Sequence, residues 1–381
     1  MKEKLIQIRR ALHQHPELGF EEHWTSDFLA TRLESLGLDV HRGIANTGIV
    51  ACIPGRDPAL PAIGYRADMD ALPIPEKTGL PFAATNGCMH ACGHDAHMTV
   101  ALGVAEKIAL SPLKHTVAFV FQPNEEGAPG EKPTGADAMC RTGFLEKFNI
   151  TRMVALHTDP TLQTGLMGIC DGCLWAASGR FVIHVEGASS HAAYPERGHD
   201  ATLAAAALIQ AIYLSKARLR KIDMEVLSVC KLTAGHAFNV IAPSAQLEGI
   251  IRGPSRDSLD QMTDLIKNCA AAIDLQFGTH TAVESYYGAL PVINDRDMTR
   301  IARECWKDVG IEVKMNLASE DFSYFSTKIP AFFAMMGIRP ADKTSLPPAH
   351  AEDFYLDEDS LLPAVEAMHA LLIALDNSLQ K

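Results

Sequence analysis

The chain has 381 residues, which at ~150 residues per domain allows two or three domains and a core that needs no disulfide staples. Hydrophobic residues make up 47% and charged residues 21%, which excludes collagen-like, low-complexity and disordered classes. The net charge of −12 repels phosphate backbones and anionic membrane surfaces, so neither a nucleic-acid nor a membrane partner is expected.

The longest strongly apolar stretches, Ala201 to Ile212 and Ala331 to Ile338, fall short of the ~20 residues that span a bilayer. The opening Met1-Lys-Glu-Lys-Leu-Ile lacks the apolar core and small-residue cleavage site of a secretory signal. Nine cysteines, an odd number, read as reduced thiols, and the expected location is cytoplasmic. Cys170-Asp-Gly-Cys173 has redox-motif spacing without the strand-to-helix setting of a thioredoxin, and is read as a turn.

In chain order, Leu5 to Leu36 carries apolar residues at helical spacing, broken by His13-Gln-His-Pro16-Glu17, which predicts two helices with a turn between them. Ile49 to Ile53 and Ala62 to Tyr65 read as strands, the second running into Arg66-Ala-Asp68-Met-Asp70. Thr116 to Phe121 and Met153 to Leu156 are further strand-like runs, and Met98 to Leu110 is helical. This alternation predicts an α/β layer structure, a mainly parallel sheet with helices on both faces. The middle has another texture. Strands at Arg180 to Glu186, Glu225 to Leu232 and Gln246 to Ile251, with helices at Ala201 to Ala217 and Ser258 to Phe277, predict an inserted, smaller α+β domain with an antiparallel sheet. The first texture returns with a helix Asp297 to Val309, a strand Ala331 to Gly337 and a closing helix Ser360 to Leu379. The expected boundaries are 1–176 with 288–381 for a discontinuous larger domain, and 177–287 for the insertion.

Polar clusters fall where the sheet elements end, the usual ligand location in an open α/β fold. His90-Ala-Cys92-Gly-His94-Asp95-Ala-His97 precedes a helix whose N-terminus favours a thiolate, and thiolate with imidazole is a good donor set for divalent metals. The alternative is a glycine turn in which Asp95 caps the helix and the histidines are exposed. Glu125-Glu126 follows a strand; adjacent carboxylates are easiest to reconcile if one binds metal and its neighbour takes up a proton, and a solvated acidic turn is the alternative. His157 and His350 are weak signals singly, since a lone histidine at a strand end is more often hydrogen-bonded structure. Together the set is Cys, His, Glu, His and His, suited to one or two zinc-like ions.

The segments Ile8 to Phe20, Tyr65-Arg-Ala-Asp-Met-Asp-Ala-Leu-Pro73, Met89-His-Ala-Cys-Gly-His-Asp95, Gln122-Pro-Asn-Glu-Glu-Gly127, Ser190-His-Ala-Ala-Tyr-Pro195 and Ser319-Glu-Asp-Phe-Ser323 resemble the M20 metallopeptidase family. The resemblance is closest to its amidohydrolase branch, which includes hippurate hydrolases, auxin-conjugate hydrolases and N-acetyldiaminopimelate deacetylases. It implies that Cys92 bridges two divalent ions, that His94 and His157 complete one site and Glu126 and His350 the other, and that Glu125 is the general base. Zinc is the first choice of metal, with manganese, cobalt or nickel as alternatives. His191 resembles an oxyanion-stabilising histidine that reaches across a homodimer, making the insertion a lid and dimerisation domain. Asn239 and Arg252 resemble substrate-binding positions. Asp68 and Asp70 lie where related peptidases carry His-x-Asp, which makes Asp70 a partner that orients an imidazole such as His94.

Two departures, Asn124 where alanine is usual and His236 in place of a small residue, bear on the pocket lining more than on the chemistry. The implied activity is metal-dependent hydrolysis of the amide bond of a small N-acyl amino acid. N-acetyldiaminopimelate deacetylation and dipeptide cleavage are the alternatives within the enzymes, and a non-catalytic metal-binding protein is the alternative outside them.

Overall fold

A computed structural model of the chain describes residues 1–127, 133–218 and 225–378. They form two compact units: Met1–Leu174 with Val292–Lys314 and Asp321–Lys381, and Trp175–Pro291 with Met315–Glu320. The short stretch Met315–Glu320 joins the second unit because Asn316 pairs with Trp175 and accepts from the Ala176 amide.

The first unit is built on an eight-stranded sheet. Its order is Asp39–Ile44, Gly48–Ile53, Val117–Gln122, Ala62–Asp68, Ile150–Gln163, Ala331–Arg339, Met167–Ile169 and Gly310–Glu312. The four central strands, from Val117–Gln122 to Ala331–Arg339, are mutually parallel. The sheet is mixed at its flanks: Gly48–Ile53 runs antiparallel to both its neighbours, and Met167–Ile169 runs antiparallel to Ala331–Arg339. Ala62–Asp68 and Val117–Gln122 are buried at every position, the condition of strands covered on both faces. Consecutive side chains show both covers. Phe332 packs on Trp306, at the end of the helix Arg296–Cys305, while Phe333 packs on Phe322, at the start of Ser323–Ser326. Successive residues of a strand point to opposite faces.

Lys2–His13, His23–Ser35, His94–Leu110 and Leu361–Ser378 supply Leu12, Leu29, Leu33, Val104, Met368 and Leu372 to one core with Tyr65, Phe119 and Leu156 of the sheet. Among the boundaries that differ from the sequence pattern are those of three helices of this unit. The helix read from Met98 begins at His94, because Gly93 takes a left-handed φ of +88° and serves as N-cap. A Cβ at Gly93 would also lie 2.7 Å from the Thr158 side chain. The helix read to Val309 stops at Cys305, where the Trp306 indole donates to the Ala367 carbonyl at 2.9 Å. The closing helix runs to Ser378, and Leu379 lies outside the described residues. The strand Asp39–Ile44 has no counterpart in the sequence reading; it is a polar edge strand with no buried position.

The second unit is an antiparallel sheet in the order His280–Tyr287, Ala177–Glu186, Ser244–Gly253 and Val226–Ala234. Alternate residues Phe181, Ile183 and Val185 turn inward to meet Leu208 of Ala201–Lys216 and Ile266 of Arg256–Phe277. His280–Tyr287 was missed because it has no buried position. At the Cys170 to Cys173 turn, burial pushes the two thiols up to about 11 and about 12, so neither forms a thiolate readily at neutral pH. Among the described residues no helix is long and apolar enough to cross a membrane.

One buried carboxylate ties the last helix to the sheet. Asp376 accepts from the amides of Lys114 and His115 at 3.1 and 2.9 Å and from the His115 ring at 2.8 Å. Burial opposes its charge, but these donors outweigh it and hold its pKa below the usual carboxylate value. A depressed carboxylate pKa contributes stability above the unfolded value and loses it as pH falls through the folded one. Asp376→Ala is therefore expected to lower unfolding stability by about 1–3 kcal/mol at pH 7 in denaturant titrations. The difference from wild type should shrink below about pH 4; equal stability at pH 7 would refute the anchor.

Candidate dinuclear metal centre

The parallel strands deliver polar residues to their carboxyl ends. Asp70 follows Ala62–Asp68, Asn124 to Glu126 follow Val117–Gln122, and His157 lies within Ile150–Gln163. Cys92 and His94 flank the Gly93 N-cap of the adjoining helix, and His350 comes from the loop after Ala331–Arg339, its amide bonded to the Ala91 carbonyl at 2.9 Å. Asn124 and His350 both have left-handed backbones, with φ of +49° and +67°. Such strain persists where surrounding contacts over-determine it, and clusters at functional sites.

The ligand atoms converge. Those of Cys92, His94 and His157 lie within 4.8 Å of one another, and so do those of Cys92, Glu126 and His350. Cys92 Sγ is 3.3 Å from His157 Nε2, His350 Nε2 is 3.1 Å from Glu126 Oε1, and His94 Nε2 is 3.9 Å from the same oxygen. Donors around a tetrahedral ion with bonds near 2.1 Å are about 3.4 Å apart. Glu125 joins His94 and Glu126 in a third such group, and one of its oxygens faces the Asp321 amide at 3.4 Å.

Proton positions explain which lone pairs are left over. His94 Nδ1 donates to the Asp70 carbonyl at 2.8 Å, and His157 Nδ1 to the Thr158 carbonyl at 2.8 Å. Both rings therefore present Nε2 to the cluster. The sequence reading gave the Asp70 carboxylate the task of orienting His94. In the structure the Asp70 main-chain oxygen makes the shorter contact, with carboxylate Oδ1 at 3.4 Å, while Oδ2 accepts from the Glu126 amide at 2.9 Å. Among the described residues, His94 Nε2 and Asp70 Oδ1 are buried without a hydrogen-bond partner. Buried polar atoms are rarely orphaned unless something else binds them, so the residues fit a pair of divalent ions.

Electrostatics point the same way. Burial opposes charge on His94, but Asp68, Asp70 and Glu126 outweigh it and raise its pKa to about 10. Burial, reinforced by Glu126, Glu125 and Asp68, pushes the Cys92 thiol well above its usual value. A positive ion held against the sulfur would favour the thiolate.

Asp68 and His97 carry more of this architecture than their sequence positions reveal. His97 Nδ1 donates to Asp68 Oδ1 at 2.7 Å, and its Nε2 accepts from the Thr158 amide at 2.9 Å. Arg66 donates to Asp68 and to Gln122, at 2.8 Å each, and to Asp321 at 3.2 Å. The i, i+3 spacing of His94 and His97, which puts both on one helix face, was the available signal. His191, Asn239 and Arg252 belong to the second unit. There His191 bridges Val240, and the Asn239 carbonyl accepts from the Ala192 amide at 3.0 Å, so His191 and Asn239 sit on paired segments. Arg252 lies at the end of Ser244–Gly253, opposite Ser178.

A parallel-sheet unit that gathers sulfur, imidazole and carboxylate donors at its strand ends, beside a further carboxylate, has the design of a metal-dependent hydrolase. The chain belongs to peptidase family M20/M25/M40, whose model matches residues 64–374. It is 38% identical over 343 residues to the N-acetyldiaminopimelate deacetylase of Bacillus subtilis, covering 88% of this chain and 90% of that protein. It is 36% identical over 380 residues to the protein of the same name from Lacticaseibacillus paracasei, covering 97% of each. Among solved structures, the Bacillus subtilis YXEP protein, described as a dinuclear metal-binding peptidase of the M20 family, superposes with a TM-score of 0.86 at 30% identity over 99% of both chains.

Cys92 is the donor common to the two triads. Cys92→Ala is expected to leave the purified chain with fewer ions per molecule than wild type by elemental analysis; unchanged content would remove Cys92 from the shared position.

Proposed function

We propose that the chain hydrolyses the amide bond of small N-acyl amino acids, with the first unit as catalytic domain and the second as lid and dimerisation domain. The observation that carries this reading is the convergence of two donor triads on Cys92 with Glu125 alongside. In it, Cys92 would be shared between two divalent ions, with His94 and His157 holding one and Glu126 and His350 the other. Zinc suits the thiolate, while manganese, cobalt or nickel satisfies the same donors. Ions held there would supply Lewis acidity toward an amide carbonyl and ease the deprotonation of water. Glu125 takes that water's proton and passes it to the departing amine. Asp70 holds the His94 ring and the Glu126 amide in place.

In the second unit, His191 is proposed to donate a hydrogen bond to the developing oxyanion, Asn239 to contact substrate, and Arg252 to pair with the free carboxylate of the amino-acid half. Arg252 Nη1 is buried without a hydrogen-bond partner, a cation ready for an external anion. We propose a homodimer in which His191 serves the partner's site. Val226–Ala234 is a sheet edge with Cys230, Lys231, Leu232 and Thr233 exposed, and an unpaired edge is a template for a second strand. No disulfide joins the nine cysteines, which suits a reducing, cytoplasmic setting.

The names of the relatives favour a particular substrate, N-acetyldiaminopimelate, within this class. A panel of hippurate, N-acetyl amino acids, N-acetyldiaminopimelate and dipeptides, run with metal-loaded protein and a chelator control, tests both readings; no turnover of any acylated amine would end them. Glu125→Gln should retain metal and lose kcat by several orders of magnitude. Arg252→Ala should raise KM roughly tenfold or more for carboxylate-bearing substrates. His191→Ala mixed with Glu125→Gln should regain activity through hybrid dimers, and no recovery on mixing would place His191 in its own subunit's site.

A further inference from the structure

The turn Asn124 to Glu126, which brings the proposed base and a proposed ligand into the cluster, is held by a residue far from it in sequence. Glu22 is fully buried and is the N-cap of His23–Ser35, yet its side chain makes no cap bond. An N-cap carboxylate ordinarily satisfies its own helix's first amides. Here Glu17 does so instead, accepting from Trp24 and Thr25 at 3.0 and 2.9 Å. Glu22 is thereby released to accept from the Asn124 amide at 2.8 Å, its other oxygen taking the Thr47 hydroxyl.

Asp70 completes the grip by accepting from the Glu126 amide at 2.9 Å. The two carboxylates thus hold the amides on either side of Glu125. Between them Asn124 keeps its left-handed backbone. Its side chain fills the space where a Cβ at Gly19 would come within 1.9 Å of Asn124 Oδ1, so the Gly19 to Glu22 segment closes over the turn from both the side-chain and main-chain sides. Burial, with Asp70 adding to it, pushes the Glu22 carboxyl up to about 7.

We propose that Glu22, acting with Asp70, is a positioning residue whose hold on the Asn124 amide sets the geometry of Glu125 and Glu126. This rests on the proposed roles of those two residues. Zn2+ titrated into chelator-stripped protein, followed by elemental analysis, reads the clamp without any substrate; kcat and KM on the best panel substrate read it a second time.

Glu22→Ala should weaken binding of one of the two ions roughly tenfold to a hundredfold, and lower kcat by a similar factor with KM within about threefold. Glu22→Gln should recover most of both, because the amide oxygen still accepts from Asn124. Should Glu22→Ala fail to fold, Glu22→Asp keeps the charge, shortens the reach and should show the same loss of Zn2+ affinity. Wild-type affinity in the folded Ala or Asp variant overturns the proposal, as does an equal loss in the Ala and Gln variants that tracks a common fall in melting temperature. If wild type hydrolyses nothing in the panel, the hydrolase reading fails while the Zn2+ titrations still decide the clamp.

Discussion

Acceptors packed together without enough donors are the constraint on which the first unit turns. Asp68, Asp70 and Glu126 crowd around His94 and Cys92 at the carboxyl ends of parallel strands. Unpaired charge of this kind is expensive to bury. The protein neutralises one side itself: although burial opposes its charge, His94 first, then Arg66 and His97, hold the Asp68 pKa well below the usual value, and Arg66 is itself buried among Asp68, Gln122 and Asp321. On the other side, cations held by the proposed ligands would complete the balance.

The geometry of that side depends on the outer layers. The helix His94–Leu110 is fixed at its first turn by Asp95, which points away from the cluster to take a hydrogen bond from Arg9 at 2.8 Å and lie 2.7 Å from His13 Nδ1. His13 in turn meets Glu76 at 3.2 Å. The first helix therefore serves to seat the helix that carries His94. The segment after it, through Glu17 and Glu22, seats the start of the next helix and the Glu125 turn. Sequence far from any proposed ligand is thus committed to the site by buried polar contacts, and removing one partner of such a contact strands the other at a cost of about 1–3 kcal/mol.

The sequence revealed what local chemistry can reveal. Apolar runs such as Ala62 to Tyr65 and Thr116 to Phe121 declared themselves because strands covered on both faces read as near-continuous apolar runs. Asp39–Ile44 and His280–Tyr287 did not, because strands with no buried position share the composition of loops. The Cys92, His94 and Glu125, Glu126 clusters were visible as dense groups. His157 and His350 were weak signals singly and gained weight only as members of the set and from family resemblance, since strand order, not spacing, brings them beside Cys92. Nothing in the sequence could assign the His94 contact to the Asp70 carbonyl, since every residue has one.

His94 and His97 show why counting candidate ligands overstates a site. Their rings are one helical turn apart with centroids 5.4 Å from each other, and the nitrogens of both fall within range of Asp68 as a possible third donor group. His97, however, spends Nδ1 on Asp68 and Nε2 on the Thr158 amide. Burial first, then the neighbouring His157 and His94, lower its pKa to about 4 despite Asp68, so it is neutral with no lone pair to offer. His94 spends only Nδ1. The capacity of the cluster for cations is therefore set by the orientation that the main-chain carbonyls of Asp70 and Thr158 give the His94 and His157 rings, with Nε2 turned to the cluster, together with the sulfur and carboxylate between them. A change that freed His97 from the Thr158 amide would alter that capacity without touching a proposed ligand.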